Sequence, residues 1–457
     1  FLFILNNPHI DIKCDRQSNL QTSLWYVRYM MTDSPEIKNG SITYKRARFT
    51  VITAECIRME YSGREVFLDD PTLFAVNRDA RFNGFAWDLT DGVLKIDTGS
   101  VRLYYTPDAK AFHAENLYAE INKGGSFVRW QPGMKDDQNL GGTCKTLDGF
   151  YGEGGVGQGV LSRSGWFVYN DARRGRGAFC ANVLKDGWVQ QRPCENEIDW
   201  YLFGYGTDFK AGLRALCAVG GKVPMIRKYA LGSWYCRWWD YTSDDYRQLA
   251  AEYEEHDFPL DIMVMDMGWH RYDATQGLGW FHMLGWTGLS WNRELLPDAE
   301  KLLQEFHADG IRTALNHHPH DGIRSHEDMY EDFMREMGYD PEDGIDLPFD
   351  AGSKKYMEAY FKHAHTPLEN EGIDFWWIDW QQDQIMPFVH GVPYLEHLPW
   401  LNYLYYNHSC RDGKRGMSYS RWGGWGDHRH PIHFSGDTDA SWKVLAWQVP
   451  FSAVSGN

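Results

Sequence analysis

The 457-residue chain has few basic residues for its acidic content, because 46 Lys and Arg stand against 63 Asp and Glu and leave a formal net charge of −17. A surface of that sign repels phosphate backbones and anionic lipid headgroups. The composition therefore argues against nucleic acid and membrane surfaces as partners and favours a small neutral ligand.

Long apolar runs and cysteine motifs are also missing. The apolar stretch at residues 1–5 lacks a basic flank and is too short for a signal sequence or a membrane span. The eight cysteines are scattered, with no CxxC pair and no ligand-like spacing. Free thiols without a leader predict a cytoplasmic protein, and assembly into a homo-oligomer is left open.

Aromatic residues are abundant, at 16% of the chain with 21 Trp. Their flat rings suit protein cores, but they also stack on the apolar faces of sugar rings. We expect most of them in the core. Six tryptophans fall near the first two predicted strand–helix loops, and we expect at least two of these to line a saccharide subsite: Trp238, Trp239, Trp269, Trp280, Trp286 and Trp291.

Short alternating apolar runs separated by turns fill residues 42–220, for example at residues 48–52, 57–61 and 101–105. Helical periodicity is almost absent there. This pattern is typical of antiparallel strands and predicts a β-sandwich. We assign it to an N-terminal domain over residues 1–225.

After residue 228 the pattern becomes strand, loop and helix. Thr242, with Asp245 three positions later, predicts a capped helix start, and the apolar run at residues 261–266 is typical of a buried parallel strand. Six strands are predicted in this alternation, at residues 231–235, 261–266, 311–316, 373–379, 417–421 and 431–434. The fold class predicted is therefore an N-terminal antiparallel β-sandwich followed by a (β/α)8 TIM-type barrel over residues 226–457, which stops after about six β/α units, with its C-terminal part missing.

Three carboxylates, Asp266, Asp379 and Asp437, follow predicted barrel strands. The carboxyl ends of barrel strands carry the chemistry of this fold, although a single Asp there often only caps a helix. Glycoside cleavage uses one ionised and one protonated carboxyl group, and an apolar wall beside one of them separates their pKa values. Carboxylates set among tryptophans therefore predict glycoside chemistry.

The residues that surround these carboxylates resemble family 31 of the glycoside hydrolases. The similarity runs in order through ALGSWYCRWW at residues 230–239, the stretch 258–266, GIDFWWID at residues 372–379, Ser420-Arg421, and Gly436-Asp437-Thr438 with Trp442. The Arg that precedes Asp437 by sixteen residues is one such feature. Family members are retaining α-glycosidases built from a β-sandwich and a (β/α)8 barrel.

The resemblance implies roles for individual residues. Asp379 matches the family's nucleophile and Asp437 its general acid/base. The substrate-binding residues implied are Asp266, Trp377, Arg421, Trp380 and Trp442. Neither a metal nor an organic cofactor is implied.

We therefore predict a retaining exo-acting α-glycosidase that acts on a neutral saccharide, with α-glucosides first. The sequence has Gly268 and Gln382 where the family often has acidic residues, so α-galactosides, α-N-acetylgalactosaminides, α-xylosides and transglycosylation stay open. The family's later active-site histidine would lie beyond Asn457. Two alternatives of other classes are a non-catalytic saccharide-binding relative and a structural protein with an inert barrel.

Two histidine clusters are alternative candidate sites, in this case for a metal ion. One comprises His317, His318, His320 and Asp321, and the other comprises Asp427, His428, His430 and His433. Neither has the i, i+4 helical spacing of a zinc site. We expect them to form hydrogen bonds at the rim of the site, with one or two touching sugar.

Overall fold

The computed structural model describes residues 34–79, 82–142, 145–152, 154, 156–172, 182–192, 198–271, 286–379 and 387–455. Within these residues, the N-terminal part is built of antiparallel sheets. A six-stranded sheet has the order β1-β2-β3-β4-β13-β10, a five-stranded sheet runs from β5 to β9 in chain order, and β11 pairs with β12. The strands are β1 (Glu36–Lys38), β2 (Ser41–Tyr44), β3 (Ala47–Thr53), β4 (Cys56–Tyr61), β5 (Ala86–Thr90), β6 (Val93–Asp97), β7 (Val101–Tyr105), β8 (Leu117–Lys123), β9 (Ser126–Trp130), β10 (Trp166–Asn170), β11 (Asn182–Lys185), β12 (Trp188–Gln191) and β13 (Ile198–Gly204).

The two larger sheets share one buried cluster. Ile42 and Phe49 of the six-stranded sheet and Leu103 and Leu117 of the five-stranded sheet all belong to it. Successive side chains of a strand point to opposite faces, so the alternation in the sequence places one apolar face of each sheet on this core. The pairing is antiparallel throughout both sheets, as the sequence predicts.

The C-terminal part contains a parallel sheet with strands in chain order. They are β14 (Trp234–Arg237), β15 (Ile262–Met265), β16 (Arg312–His317), β17 (Phe375–Ile378) and β18 (Tyr419–Ser420). The helices of the described residues are α1 (Phe209–Gly220), α2 (Ser243–Glu255), α3 (Ala299–Ala308), α4 (Tyr330–Met337), α5 (Lys354–Tyr360), a π-helical turn (Phe361–His365), α6 (Thr366–Glu371), α7 (His397–Ser409) and α8 (Trp442–Ser455). Short 3-10 turns lie at Lys228–Leu231, Met267–Trp269, Pro319–Asp321, Pro341–Asp343 and Asp427–Arg429. None of the helices described is long and apolar enough to cross a membrane.

Local sequence signals explain the elements around the parallel sheet. The side-chain oxygen of Thr242 accepts from the backbone N–H of Asp245, and the carboxylate of Asp245 accepts from the N–H of Thr242, which confirms the capping box. All four residues of β15 are buried because both faces of this strand are covered. Val264 packs with strand residues inside the curved sheet, whereas Met263 packs with the surrounding helices.

Two predicted strands need correction. Residues 431–434 are not a strand: they run beside β18 with a single parallel bridge, between Ser420 and His433. Pro431 has no N–H to donate to a ladder, although its carbonyl accepts from Ser418. The sheet of the described residues is therefore a half-barrel of five strands rather than six. The first strand begins later than predicted, at Trp234, because the N–H of Gly232 closes a turn on the carbonyl of Tyr229.

Candidate active site

Side chains from four parallel strands meet at one edge of the half-barrel. Asp266 follows β15, His318 follows β16, Asp379 follows β17 and Arg421 follows β18. Parallel strands end at the same edge of a sheet, which brings these residues together. The convergence of Asp379 and Arg421 is that expected from the sequence.

Asp379 is a buried carboxylate with a separate donor for each oxygen. Arg421 donates from Nη1 to Oδ1, and Nε2 of His318 lies 3.3 Å from Oδ2. Burial raises the pKa of Asp379, but the interactions with His318 and Arg421 outweigh it and lower the pKa to about 2. Asp379 is therefore ionised at neutral pH, as a nucleophile must be.

Asp437 lies beside the same arginine in a different environment. Nη2 of Arg421 is 3.7 Å from Oδ2 of Asp437, whose side chain is 78% exposed. Partial burial and repulsion from Asp379 raise the pKa of Asp437 despite the arginine. Two carboxyl groups on one guanidinium thus have pKa values shifted in opposite directions, which separates a base or nucleophile from a proton donor.

Asp266 interacts electrostatically with Asp379, and Trp377 packs against Phe434, the ring over which Arg421 lies. Burial, with repulsion from Asp379, raises the pKa of Asp266, whose Oδ1 accepts from the N–H of Met267 at 2.8 Å. Sγ of Cys236 lies 3.8 Å from its other oxygen. The ring of Trp377 is nearly buried and packs against Tyr419 at a centroid distance of 5.7 Å.

The remaining tryptophans predicted near the site have varied positions. Trp442 is the first residue of α8, and its side chain is 86% exposed. Trp269 and Trp291 are fully buried core residues that pack against each other. Trp238 and Trp239 are exposed. Trp286 packs against His318 at 4.9 Å, and Trp280, Trp380, Gln381 and Gln382 lie outside the described residues.

Asp148 and Thr146, from the segment between β9 and β10, were not predicted. Oδ1 of Asp148 accepts from Nη2 of Arg421 at 2.9 Å and from the backbone N–H of Asp437 at 2.6 Å. Oγ1 of Thr146 accepts from Nε of Arg421 at 3.1 Å. No local sequence pattern reveals these contacts. His318 was expected only at the rim, and its position at the end of a strand was the signal for a closer role.

The histidine clusters make hydrogen bonds and ion pairs with protein groups. His317 bonds to the hydroxyl of Tyr360 at 2.8 Å, and His430 and His433 both face Asp427, at 3.1 and 3.3 Å. Among the residues that the structure describes, no three His, Cys, Asp or Glu side chains form a group that could hold a metal.

Known proteins are similar to this chain in sequence or in fold. The α-xylosidase of Saccharolobus solfataricus is 23% identical over an alignment of 275 residues, and the match covers 56% of this chain and 35% of that protein. The chain thus spans about a third of that curated relative's length. A family 31 dextranase of Flavobacterium johnsoniae, solved with glucose, superposes with a TM-score of 0.64 at 14% identity and covers 93% of this chain and 59% of its own.

A family 31 α-xylosidase from a soil metagenome, solved with xylose, has a TM-score of 0.62 at 15% identity, covering 93% of this chain and 70% of its own. At such identities these structures establish a common fold. The domain described as the TIM-barrel domain of the glycosyl hydrolases family 31 matches residues 223–456, just over half of the sequence. The chain therefore belongs to family 31 of the glycosyl hydrolases.

Proposed function

We propose that the chain carries the catalytic residues of a retaining exo-acting α-glycosidase that hydrolyses non-reducing-end α-linked sugars. The observation that carries this proposal is the pair Asp379 and Asp437, which share Arg421 while their pKa values are shifted in opposite directions. We also propose that residues 1–225 form a β-sandwich domain and residues 226–457 the catalytic barrel.

The reaction divides between these two carboxyl groups. Protonated Asp437 gives its proton to the glycosidic oxygen while ionised Asp379 attacks the anomeric carbon and forms a glycosyl-enzyme. Asp437, now a base, takes a proton from water, which attacks the same carbon, displaces Asp379 and returns the sugar with its α configuration. Retention requires the two carboxyl groups to lie about 5–5.5 Å apart in the substrate complex.

Other residues bind the sugar and adjust charge. Asp266 offers carboxylate oxygens to ring hydroxyl groups, and Arg421 keeps Asp379 ionised. The resemblance gives Trp377, which is 8% exposed, the role of the sugar-facing ring. Trp380 and Trp442 remain predictions from the resemblance. The substrate is a neutral saccharide, in keeping with the acidic charge of the chain.

An α-glucoside is the first candidate substrate. An α-xyloside is the second, because the curated relative from Saccharolobus solfataricus and the metagenomic structure are both named α-xylosidases. Gly268 and Gln382 stand where the family often has acidic residues. For this reason α-galactosides and α-N-acetylgalactosaminides are also candidate substrates. Transglycosylation uses the same intermediate, with a sugar hydroxyl in place of water.

A panel of p-nitrophenyl α-glycosides tests the proposal. We expect turnover of at least one member, with the α anomer as first product by NMR. Asp379→Asn should lose about 10³-fold or more in kcat, whereas the matched change Asp309→Asn, in the exposed turn after α3, should leave kcat unchanged.

Two results would overturn the proposal. A β anomer as first product contradicts retention. Inertness toward the whole panel, while isothermal titration shows that the sugar binds, favours the non-catalytic saccharide-binding alternative. Binding that survives in an inactive Asp379→Asn protein, by contrast, supports an enzyme.

A further inference from the structure

A segment of the N-terminal part forms hydrogen bonds with the stretch of the barrel that carries Asp437, the proposed acid/base. We call residues 145–150 the clasp. Its backbone pairs with the stretch that carries Asp437: the N–H of Leu147 donates to Ser435 at 2.7 Å, and the N–H of Gly149 donates to the carbonyl of Asp437 at 2.9 Å. At its end, the ring of Phe150 packs on Trp447 of α8 at 4.5 Å. The clasp is therefore fastened to the barrel on both sides of Asp148.

The carboxylate of Asp148 contacts two parts of the catalytic group. Its Oδ1 accepts from Nη2 and Nε of Arg421, at 2.9 and 3.3 Å, and from the backbone N–H of Asp437 at 2.6 Å. Arg421 donates to Asp379 with its other terminal nitrogen. One oxygen of Asp148 thus links the guanidinium beside the nucleophile to the backbone of the acid/base.

The surroundings of Gly436 show how closely the clasp packs against the stretch that carries Asp437. This residue precedes Asp437 and has φ +96°, a left-handed conformation that glycine adopts without strain. A Cβ there would lie 2.3 Å from Oδ1 of Asp148 and 2.3 Å from Oγ1 of Thr146. A side chain at this position would displace one of the contacts that hold Asp148.

We propose that Asp148 is a positioning residue of the glycosidase reaction: it fixes the backbone of Asp437 and the guanidinium of Arg421, and it places a third carboxylate beside the acid/base. This inference rests on the proposed function. It adds a residue from outside the barrel to the groups that decide when Asp437 carries a proton.

The effect on the protonation of Asp437 follows from the titratable groups that surround its carboxyl group. They are Asp379 after β17, Arg421 after β18, His318 after β16, Asp148 on the clasp and the thiol of Cys236 on β14, whose raised pKa keeps it neutral. Partial burial and the charge of Asp379 raise the pKa of Asp437, and the charge of Asp148 adds to that rise, whereas Arg421 and His318 lower it. Asp148 also takes up part of the donor capacity of Arg421, which would otherwise stabilise ionised Asp437.

Three substitutions separate position from charge. Asp148→Asn keeps an oxygen that can accept from the N–H of Asp437 but removes the charge. Asp148→Ala removes both. Asp148→Glu restores the charge with a longer side chain. Asp91→Asn, at the turn between β5 and β6, is the matched control for loss of an acidic charge from the same part of the chain.

The first readout is the pH profile of kcat/KM on a p-nitrophenyl α-glycoside that the unmodified protein turns over. Both Asp148→Asn and Asp148→Ala should move the alkaline limb about one pH unit lower, because Asp437 loses its proton more easily. Asp148→Ala should also lose about 10–100-fold in kcat, with KM little changed. Asp148→Glu should return the limb toward its original position, and Asp91→Asn should match the unmodified protein.

The second readout does not need activity. Titration of the Asp437 carboxyl, followed by 13C NMR of aspartate-labelled protein and assigned by its loss in Asp437→Asn, should show a lower pKa in Asp148→Asn. A purely structural clasp would lower the thermal midpoint of Asp148→Ala but leave both the limb and the titration in place, which overturns the inference. If the whole panel is inert, the proposed function fails, and the titration still decides whether Asp148 sets the protonation of Asp437.

Discussion

Nε2 of His318 lies 3.3 Å from Oδ2 of Asp379, while Arg421 donates to Oδ1 of the same carboxylate. Each oxygen of the proposed nucleophile therefore has its own nitrogen donor. Buried carboxylates are costly without such partners. The pair explains why a buried Asp379 has a pKa of only about 2.

Replacing His318 should make the nucleophile harder to ionise. His318→Ala removes a group that lowers the pKa of Asp379, so the acidic limb of the kcat/KM profile should move to higher pH by about one unit. The reaction needs ionised Asp379, so activity should fall most below about pH 3.5 and stay nearly unchanged near pH 7. Profiles from pH 2 to 7 measure this shift.

The control for His318→Ala is His256→Ala, at the exposed end of α2. It should leave the profile unchanged. An acidic limb that stays in place in His318→Ala would show that Arg421 alone keeps Asp379 ionised.

Elements with local signals could be predicted from the sequence. The capping box at Thr242 and the apolar run of β15 act through neighbours in the chain, so residue types alone indicate them. β18 has only two residues, and the stretch 431–434 beside it makes a single bridge. Their pairing depends on strands from elsewhere in the chain and on Pro431, which an apolar pattern does not reveal.

The candidate site likewise contains one contact that the sequence predicts and one that it does not. The contact of Asp379 with Arg421 follows from their positions at the ends of neighbouring strands, which β topology brings together. The contact of Asp148 with Asp437 joins residues 289 positions apart. This contact depends on how the clasp packs against the barrel, and no sequence motif around Asp148 predicts that packing.

Gly436→Ala should reduce catalysis through the clasp. The added methyl group meets Asp148 and Thr146 at 2.3 Å and also forces a non-glycine residue into a left-handed conformation. We expect kcat to fall about 10–100-fold because Asp437 moves from its position. Steady-state kinetics measure the loss.

Gly413→Ala is the matched control, because it introduces backbone strain without a steric clash. Gly413 also has a positive φ, of +71°, but nothing lies within 4 Å of its Cβ position. It should cost about 1 kcal/mol of stability and leave kcat unchanged. Equal kcat losses in both variants would mean that strain, rather than contact with the clasp, disturbs the site.

Removing the carboxylate from a buried ion cluster should destabilise the N-terminal sheets. The carboxylate of Asp199 accepts from Arg58 at 2.9 Å, from Arg78 at 3.0 Å and from Arg192 at 2.7 Å, and all four residues are buried. Asp199→Asn leaves three buried cations with less compensating charge and should cost about 3–5 kcal/mol in urea unfolding at pH 7. Asp88→Asn, on exposed β5, is the control and should cost little.

The pH dependence of that cost has a defined sign. Burial raises the pKa of Asp199, but the arginines outweigh it and hold the pKa well below its ordinary value. The stabilisation is therefore complete above the unfolded pKa of about 4 and is lost as pH falls further. The gap between Asp199→Asn and the unmodified protein should stay constant from pH 8 to 5. A gap that widens on acidification contradicts this account.

Glu327 should destabilise the barrel as pH rises. It is buried between β16 and α4, where Oε2 accepts from Oγ of Ser290 at 2.5 Å and from the N–H of Leu289 at 3.2 Å. Burial outweighs these bonds and raises the pKa of Glu327 to about 7, above the unfolded value of about 4.3. Between those two values the unfolded state is ionised while the folded state holds a proton, so folding stability falls as pH increases.

Glu327→Gln removes that charge and keeps an oxygen that accepts one hydrogen bond. Its thermal midpoint relative to the unmodified protein should therefore be higher at pH 8 than at pH 5, because only the unmodified protein must bury a carboxylate at the higher pH. Glu294→Gln, at an exposed position near α3, should show no such change. If the difference between Glu327→Gln and the unmodified protein is the same at both pH values, the buried carboxyl group does not titrate between them.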